Sequence, residues 1–341
     1  MSTDIDRSGG SPDQPETEQR PARWRRVVNR PIVRWAAVLA VLVVLVATWS
    51  LARKALIFGL AEESPLALAA VGFALLYRLT GLINVAYAET VTLGAYFGMW
   101  FNTTFNLNFY VTLIPAALSA GVLSVATYFA FFRPAKRRNV GVVELIILSF
   151  GLSIVLRYGL QLIFGHEQRY FKVPFQKPVM ILGYGVPPFR LTALAGVIAG
   201  ALILYWFIQK TRLGVQIRAL AGDEKLAQVS GINPLAVTVL IWFIAGMAGG
   251  LAGAFYGVNT SCRAWLGWDQ FLFILLVVII GGAKGIGGVF IAGLATGVVI
   301  SFLELVPGLN ATTVYAQVIV IALFMVILKA RGNRLLEAGK V

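Results

Sequence analysis

Apolar runs long enough to cross a bilayer recur from about residue 35 to about residue 329 of this 341-residue chain, divided by short polar loops. Their recurrence along almost the whole length excludes a soluble domain hung on a single anchor. The charged share, 13%, is about half that of ordinary soluble domains, and mean hydropathy is +0.80. The expected class is an all-α polytopic integral membrane protein with about ten transmembrane helices. They are expected near 35–52, 64–80, 85–102, 110–131, 141–164, 190–209, 234–258, 269–281, 287–306 and 314–329. Few residues remain for a catalytic domain.

The net charge of +14 could suggest a nucleic-acid partner, but the 29 Lys and Arg residues are concentrated in short loops between apolar runs, where they orient helices. Nucleic-acid binding is therefore not expected. Cys262 is the single cysteine and His166 the single histidine, so neither an internal disulfide nor a metal site is expected.

Residues 1–20 are polar and too poor in apolar groups to fold alone, which reads as a disordered cytoplasmic tail. Residues 21–63 hold a strongly basic segment and an additional first transmembrane helix, uncleaved, with its amino end on the cytoplasmic side. The core runs over 64–330 with a cytoplasmic loop at 210–233, and 331–341 form a second cytoplasmic tail. An even number of spans puts both termini in the cytoplasm. The loop charges agree at Arg133, Lys136, Arg137, Arg138, Lys210, Arg212, Arg218 and Lys225; Arg53, Lys54, Arg169, Lys172 and Lys177 run against the rule.

Three stretches carry candidate function. In "GLINVAYAETVTLGAYFG", Asn84 and Glu89 lie within an apolar segment, where an ionisable group costs several kcal/mol and faces a protein interior or a watery cavity. A break at Gly81 would let both point inward. Glu89 then either pairs inside the bundle or takes a direct part in a transport path.

In "LLVVIIGGAKGIGGVFIAG" the glycine run mimics a phosphate loop, but Lys284 is not followed by the Ser or Thr that holds magnesium. A tight cytoplasmic turn remains, with Gly281, Gly282, Gly285, Gly287 and Gly288 permitting positive φ and close helix packing. No nucleotide site is expected on this chain.

In "RALAGDEKLAQVSGINPLAV" Ala219, Ala221, Leu226, Ala227 and Val229 supply apolar contacts, Asp223, Glu224 and Lys225 supply charge, and Gly231 with Pro234 ends the element. It reads as a short amphipathic helix along the inner surface, either a solvated connection or a docking helix for a cytoplasmic partner.

In this order the three stretches resemble the permease subunits of ATP-binding-cassette importers for branched-chain amino acids and related amides. The family pattern Gly-x-x-Asn-x-Ala-His-Gly-Glu stands here as "GLINVAYAE", followed by "LGAY". Gly81, Asn84, Ala86, Glu89, Gly94, Ala95 and Tyr96 match, while Tyr87 replaces the histidine and Ala88 the glycine. Arg218, Ala219, Ala221, Asp223, Ala227, Gly231, Ile232 and Asn233 fall on the family's coupling-loop pattern, and "LSFGLSIVLRYGLQLIFG" is a weaker match.

The resemblance covers about residues 64–330 and points to the shorter of the two permease paralogues. It implies the importer transmembrane fold, a multi-pass place in the cytoplasmic inner membrane, and no cofactor on this chain. It also implies a second, paralogous permease, two cytoplasmic ATPases that use ATP, and an extracytoplasmic solute-binding protein. On this reading Gly81, Asn84 and Glu89 lie at a helix break along the path, and Arg218 to Ile232, with Glu224, form the ATPase coupling loop. The expected function is a permease subunit of an ATP-driven importer of branched-chain amino acids, not an enzyme. The rival is an ion-coupled secondary transporter of a small polar solute, with a broken helix and a midplane carboxylate.

Overall fold

A computed structural model describes residues 51–174, 176–282 and 285–306, together with Trp49, 318–319 and 321–322. The chain divides into two compact units, Met1–Ser50 and Leu51–Val341, and all described residues but Trp49 belong to the second. The expected tails 1–20 and 331–341, the basic segment after residue 20, Lys284, and most of the expected spans 35–52 and 314–329 lie outside the described residues.

The described chain is almost entirely helical. It begins with α1 (Leu51–Glu62), which bends by 52° at Glu63 into α2 (Ser64–Thr80). The remaining long helices are α3 (Tyr87–Thr104), α4 (Phe109–Arg137), α5 (Val142–Phe164) and α6 (Pro188–Lys210). Two short helices, α7 (Arg212–Gly222) and α8 (Glu224–Val229), lead into α9 (Pro234–Asn259), α10 (Leu266–Gly281) and α11 (Ile286–Leu305). A small antiparallel hairpin, β1 (Val179–Ile181) with β2 (Tyr184–Val186), decorates the loop before α6.

Eight of the expected spans coincide with described helices to within a few residues. By length and apolar character α4, α5, α6, α9 and α11 can cross a membrane, and the bent pair α1–α2 is a sixth if it counts as one span. Helix α3 carries Glu89 and Asn102 within its apolar run, and α10 has 16 residues. Residues 53–62, expected as part of a connection, are helical instead. The reason is packing: a side chain on Gly59 would lie 2.6 Å from the Val298 Cα, so α1 rests directly on the backbone of α11 and buries Ala55 and Ala61.

Helix α9 lies at the centre of the bundle, against α2, α3 and α4. Its run "AGMAGGLAGAFYG" explains how. A Cβ on Gly253 would stand 1.8 Å from the Val91 carbonyl of α3, and one on Gly250 would stand 2.4 Å from the Ala120 Cβ of α4. Lipid tails are as apolar as leucine, so close backbone approach of this kind, not hydrophobic transfer, holds such helices together.

The loops sort to two ends. At one, Lys136 meets Glu224 at 2.8 Å, joining the two most basic loops. At the other, Lys172 N–H donates to Asn102 Oδ1 at 2.6 Å and Arg169 pairs by backbone with Cys262, joining the loops after α3, α5 and α9. This grouping is the one the alternating spans require.

Candidate functional site

Helix α2 stops because Gly81 takes a left-handed conformation, φ 64°, and its N–H returns to Tyr77 O at 2.8 Å. Residues 81–84 have no regular structure, and α3 starts only at Tyr87. The break is bound from the side: Val85 N–H donates to Ser149 Oγ of α5 at 3.1 Å. Asn84 is buried at 3% exposure, and its Oδ1 has no hydrogen-bond partner among the described residues.

Tyr87, where the family pattern has histidine, is fully buried and donates to Ala69 O at 2.9 Å. Its hydroxyl needs the space that Gly72 and Gly249 leave, since a Cβ at Gly72 would lie 2.4 Å from it. A phenol thus bridges α2 to α9, whose Ala245 carbonyl lies 3.3 Å away.

Glu89, in the first turn of α3, is buried beside Arg157 of α5. Arg157 donates to Glu89 Oε1 from Nη2 at 2.5 Å and from Nε at 3.1 Å, and Ser153 Oγ donates to the same oxygen at 2.9 Å. The side chains are 1% and 4% exposed, and the guanidinium carbon stands 4.4 Å from the ring centres of both Trp265 and Trp268. A cation held against aromatic faces and hydrogen-bonded to a carboxylate can persist in a low-dielectric interior where either charge alone would not.

Glu89 Oε2 has no hydrogen-bond partner among the described residues. The Thr92 hydroxyl donates to Ala88 O at 3.4 Å and accepts from the Gly267 N–H at 3.0 Å. The starts of α3 and α10 therefore meet within the bundle, with this ion pair beside them.

Asn84 and Glu89 are both buried next to the break, but only Glu89 joins the charged network. Arg157, Ser153, Trp265 and Trp268 were not singled out by sequence. The signal was there: Arg157 is the one charged residue in the interior of an otherwise apolar run, and such a residue needs a partner.

The 210–233 loop forms two helices rather than one, because Asp223 ends α7 and caps α8, its Oδ1 accepting from Leu226 N–H at 3.0 Å. Ile217, Leu220 and Ala227 face inward, and the Arg218 guanidinium donates to Ile208 O at the end of α6. Gly231 N–H returns to Gln228 O at 2.9 Å and Ile232 N–H to Ala227 O at 3.0 Å, closing α8 with a left-handed glycine at φ 83°. Ala219, Asp223, Glu224 and Gly231 are exposed, and Ala221 is half-buried. Leu226 and Val229 are 65% and 88% exposed.

At the glycine turn, Gly282 has φ 76° and its carbonyl accepts from Gly285 N–H at 3.0 Å. Gly281 and Gly288 face each other across α10 and α11, where a Cβ on Gly288 would lie 2.4 Å from Gly281 O. Among the described residues, nothing lies within 4 Å of a Cβ position on Gly285 or Gly287. Among the described residues no three His, Cys, Asp or Glu side chains gather as a metal site.

The family model for the permease component of branched-chain amino acid transport systems matches residues 55–328. The chain is 28% identical over 300 residues to the high-affinity branched-chain amino acid transport system permease protein LivH of Salmonella typhimurium, covering 83% of this chain and 94% of that one. It is 27% identical over 303 residues to the corresponding permease protein BraD of Pseudomonas aeruginosa, covering 84% and 96%. A shorter stretch of 122 residues is 34% identical to the galactose/methyl galactoside import permease protein MglC of Haemophilus influenzae, covering 34% and 36%. No solved structure matches the chain.

Proposed function

The chain belongs to the family of permease components of branched-chain amino acid transport systems, and from that premise we propose that it forms half of the membrane path of an ATP-driven importer for aliphatic amino acids. It is a multi-pass membrane subunit and not an enzyme. In this reading it lies in the inner membrane with both termini in the cytoplasm. It pairs with a paralogous permease, stands on two ATPases that use the ATP, and receives solute from a binding protein outside. The chain itself holds no cofactor.

The observation that carries the reading is the α7–α8 pair. It is tethered to the bundle through Arg218 and the Lys136–Glu224 contact, yet turns Leu226 and Val229 outward where no described residue covers them. A rigid knob with an apolar tip, joined to two long helices, is the part needed to pass motion from an ATPase to the bundle. We assign Gly222 to Ile232 as the segment that enters the ATPase.

Glu89 supports the broken helix from within the path. Its carboxylate is already engaged by Arg157, which leaves it poorly suited to bind a coupling cation, so the secondary-transporter reading is not favoured.

The test is to extract the tagged chain gently from native membranes and identify what accompanies it by mass spectrometry. Recovery of an ATPase and a second permease is expected; a chain that comes out alone and drives uptake from an ion gradient would refute the reading.

Reversing one charge gives a sharper result. Exposed pairs contribute only about 0–1 kcal/mol to stability, so Glu224→Lys should leave the chain folded. ATPase retention and uptake are expected to fall several-fold, and unchanged retention would remove this loop from the interface.

A further inference from the structure

Along its outward side α4 exposes Ile114, Leu118, Val122, Ala126 and Phe129 at intervals of three and four residues, and the same line continues into Arg133 and Arg137. Between the two parts Tyr128–Phe132 form a π turn, a rare irregularity that is frequent at functional sites. A hollow of about 260 Å³ opens there, lined by Phe129, Arg133, Pro134, Arg137 and Arg138.

The Arg133 guanidinium carbon stands 5.2 Å from the Phe129 ring centre, which holds the cation at the end of the apolar line. Lys136, the fourth cation of this loop, is paired with Glu224. The three arginines have no ion pair among the described residues, and no carboxylate lines the hollow. Orienting a helix in a membrane needs only positive charge. It explains neither a hollow built of arginines nor a guanidinium held on a ring.

We propose that this hollow binds the headgroup of one anionic phospholipid from the leaflet on the basic-loop side. The phosphodiester takes Arg133, Arg137 and Arg138, and one acyl chain lies along Phe129, Ala126 and Val122. The inference needs only that α4 spans the membrane, so it is independent of the solute carried and of the partner subunits. Guanidinium groups hold phosphate oxygens through forked, charge-assisted hydrogen bonds, and basic pockets at the ends of transmembrane helices take acidic headgroups.

The dimensions agree. From Val122 to Arg133 the helix rises roughly 16 Å at about 1.5 Å per residue, close to half of the roughly 30 Å hydrocarbon layer and so to one leaflet. An acidic face of a water-soluble protein would meet the arginines but not Val122 and Leu118, which lie at membrane depth. The apolar line therefore decides for lipid.

The experiment uses the full chain with the subunits that copurify, in neutral detergent, titrated with phosphatidylglycerol or with phosphatidylcholine of the same acyl chains and read by native mass spectrometry. Phosphatidylglycerol is expected to bind at least tenfold more tightly, and glycerol phosphate at the same concentration should not displace it. Arg133→Gln with Arg137→Gln should weaken phosphatidylglycerol binding at least tenfold. Arg133→Lys with Arg137→Lys keeps the charge that orients the helix and should still weaken binding several-fold, since an ammonium cannot form the fork or lie flat on the ring. Lys210→Gln with Arg212→Gln removes as many charges from another loop and should leave binding unchanged. Equal affinity of the native chain for the two lipids overturns the proposal, as does binding unchanged by the two glutamines at 133 and 137 or weakened equally by those at 210 and 212. Displacement by glycerol phosphate would assign the hollow to a soluble anion and overturn it as well.

Discussion

Arg157→Ala should destabilise the folded chain by about 3–5 kcal/mol, the usual result of removing one partner from a buried ion pair. The lost contacts are the two bonds to Glu89 Oε1, the bond to Ser153, and the packing against Trp265 and Trp268. Most of the effect comes from the carboxylate left behind, 1% exposed and keeping, among the described residues, the Ser153 hydroxyl as its donor. A thermal scan in detergent and the fraction of chain surviving extraction would read it.

Replacing both partners, as in Glu89→Met with Arg157→Met, should recover much of the stability, because well-packed apolar residues often substitute for a buried pair at little cost. Uptake then becomes the informative quantity. A stable double variant that still transports would make the pair a structural brace alone; one that is stable and inactive would place the charges in the path. Arg157→Lys should not rescue, since an ammonium cannot form the forked bonds or lie flat between two indoles. An Arg157→Ala chain as heat-stable as the native one would show that the two charges are not buried together in the membrane.

The second large effect is expected at the seam between α3 and α9. Gly253→Val places a branched side chain where even a Cβ would be 1.8 Å from Val91 O, and Gly94→Val does the same 2.2 Å from Gly250 O. Neither obstacle is a flexible side chain, so the helices must move apart. Overpacking of cores costs about 1–3 kcal/mol, and substitutions on both sides of one seam should not add independently, because the first separation relieves the second. Loss of extractable, monodisperse protein is the expected readout for each.

Gly159→Ala on α5 supplies the control. Nothing lies within 4 Å of its Cβ position, and alanine favours a helix interior over glycine by about 0.5–1 kcal/mol. The control should match or exceed the native chain; if Gly253→Val did as well, the central packing of α9 described above would be wrong.

The same contrast bears on what was legible beforehand. Helix ends were readable wherever a local rule acts, as at Gly81, whose left-handed turn stops α2, and at Gly231, which closes α8. Asp223 was counted as a charge of one amphipathic helix, yet it splits the segment in two by capping α8. Residues 53–62, left between two expected spans, form a helix that α11 supports at Gly59, with Arg53 exposed and Lys54 half-buried.

What the sequence determined by itself is the membrane class, the position of most spans and the presence of a costly charge in one of them. These are local properties: in a bilayer each segment must satisfy its own backbone, and apolar length alone decides whether it can. Only the tertiary structure decided that Glu89 answers to Arg157, 68 positions away, that two tryptophans cover the cation, and which glycines are contacts rather than spacers. Those choices depend on how each helix is rotated against its neighbours. That rotation is set by the close approach of small residues on several helices at once, so no single stretch of the chain contains it.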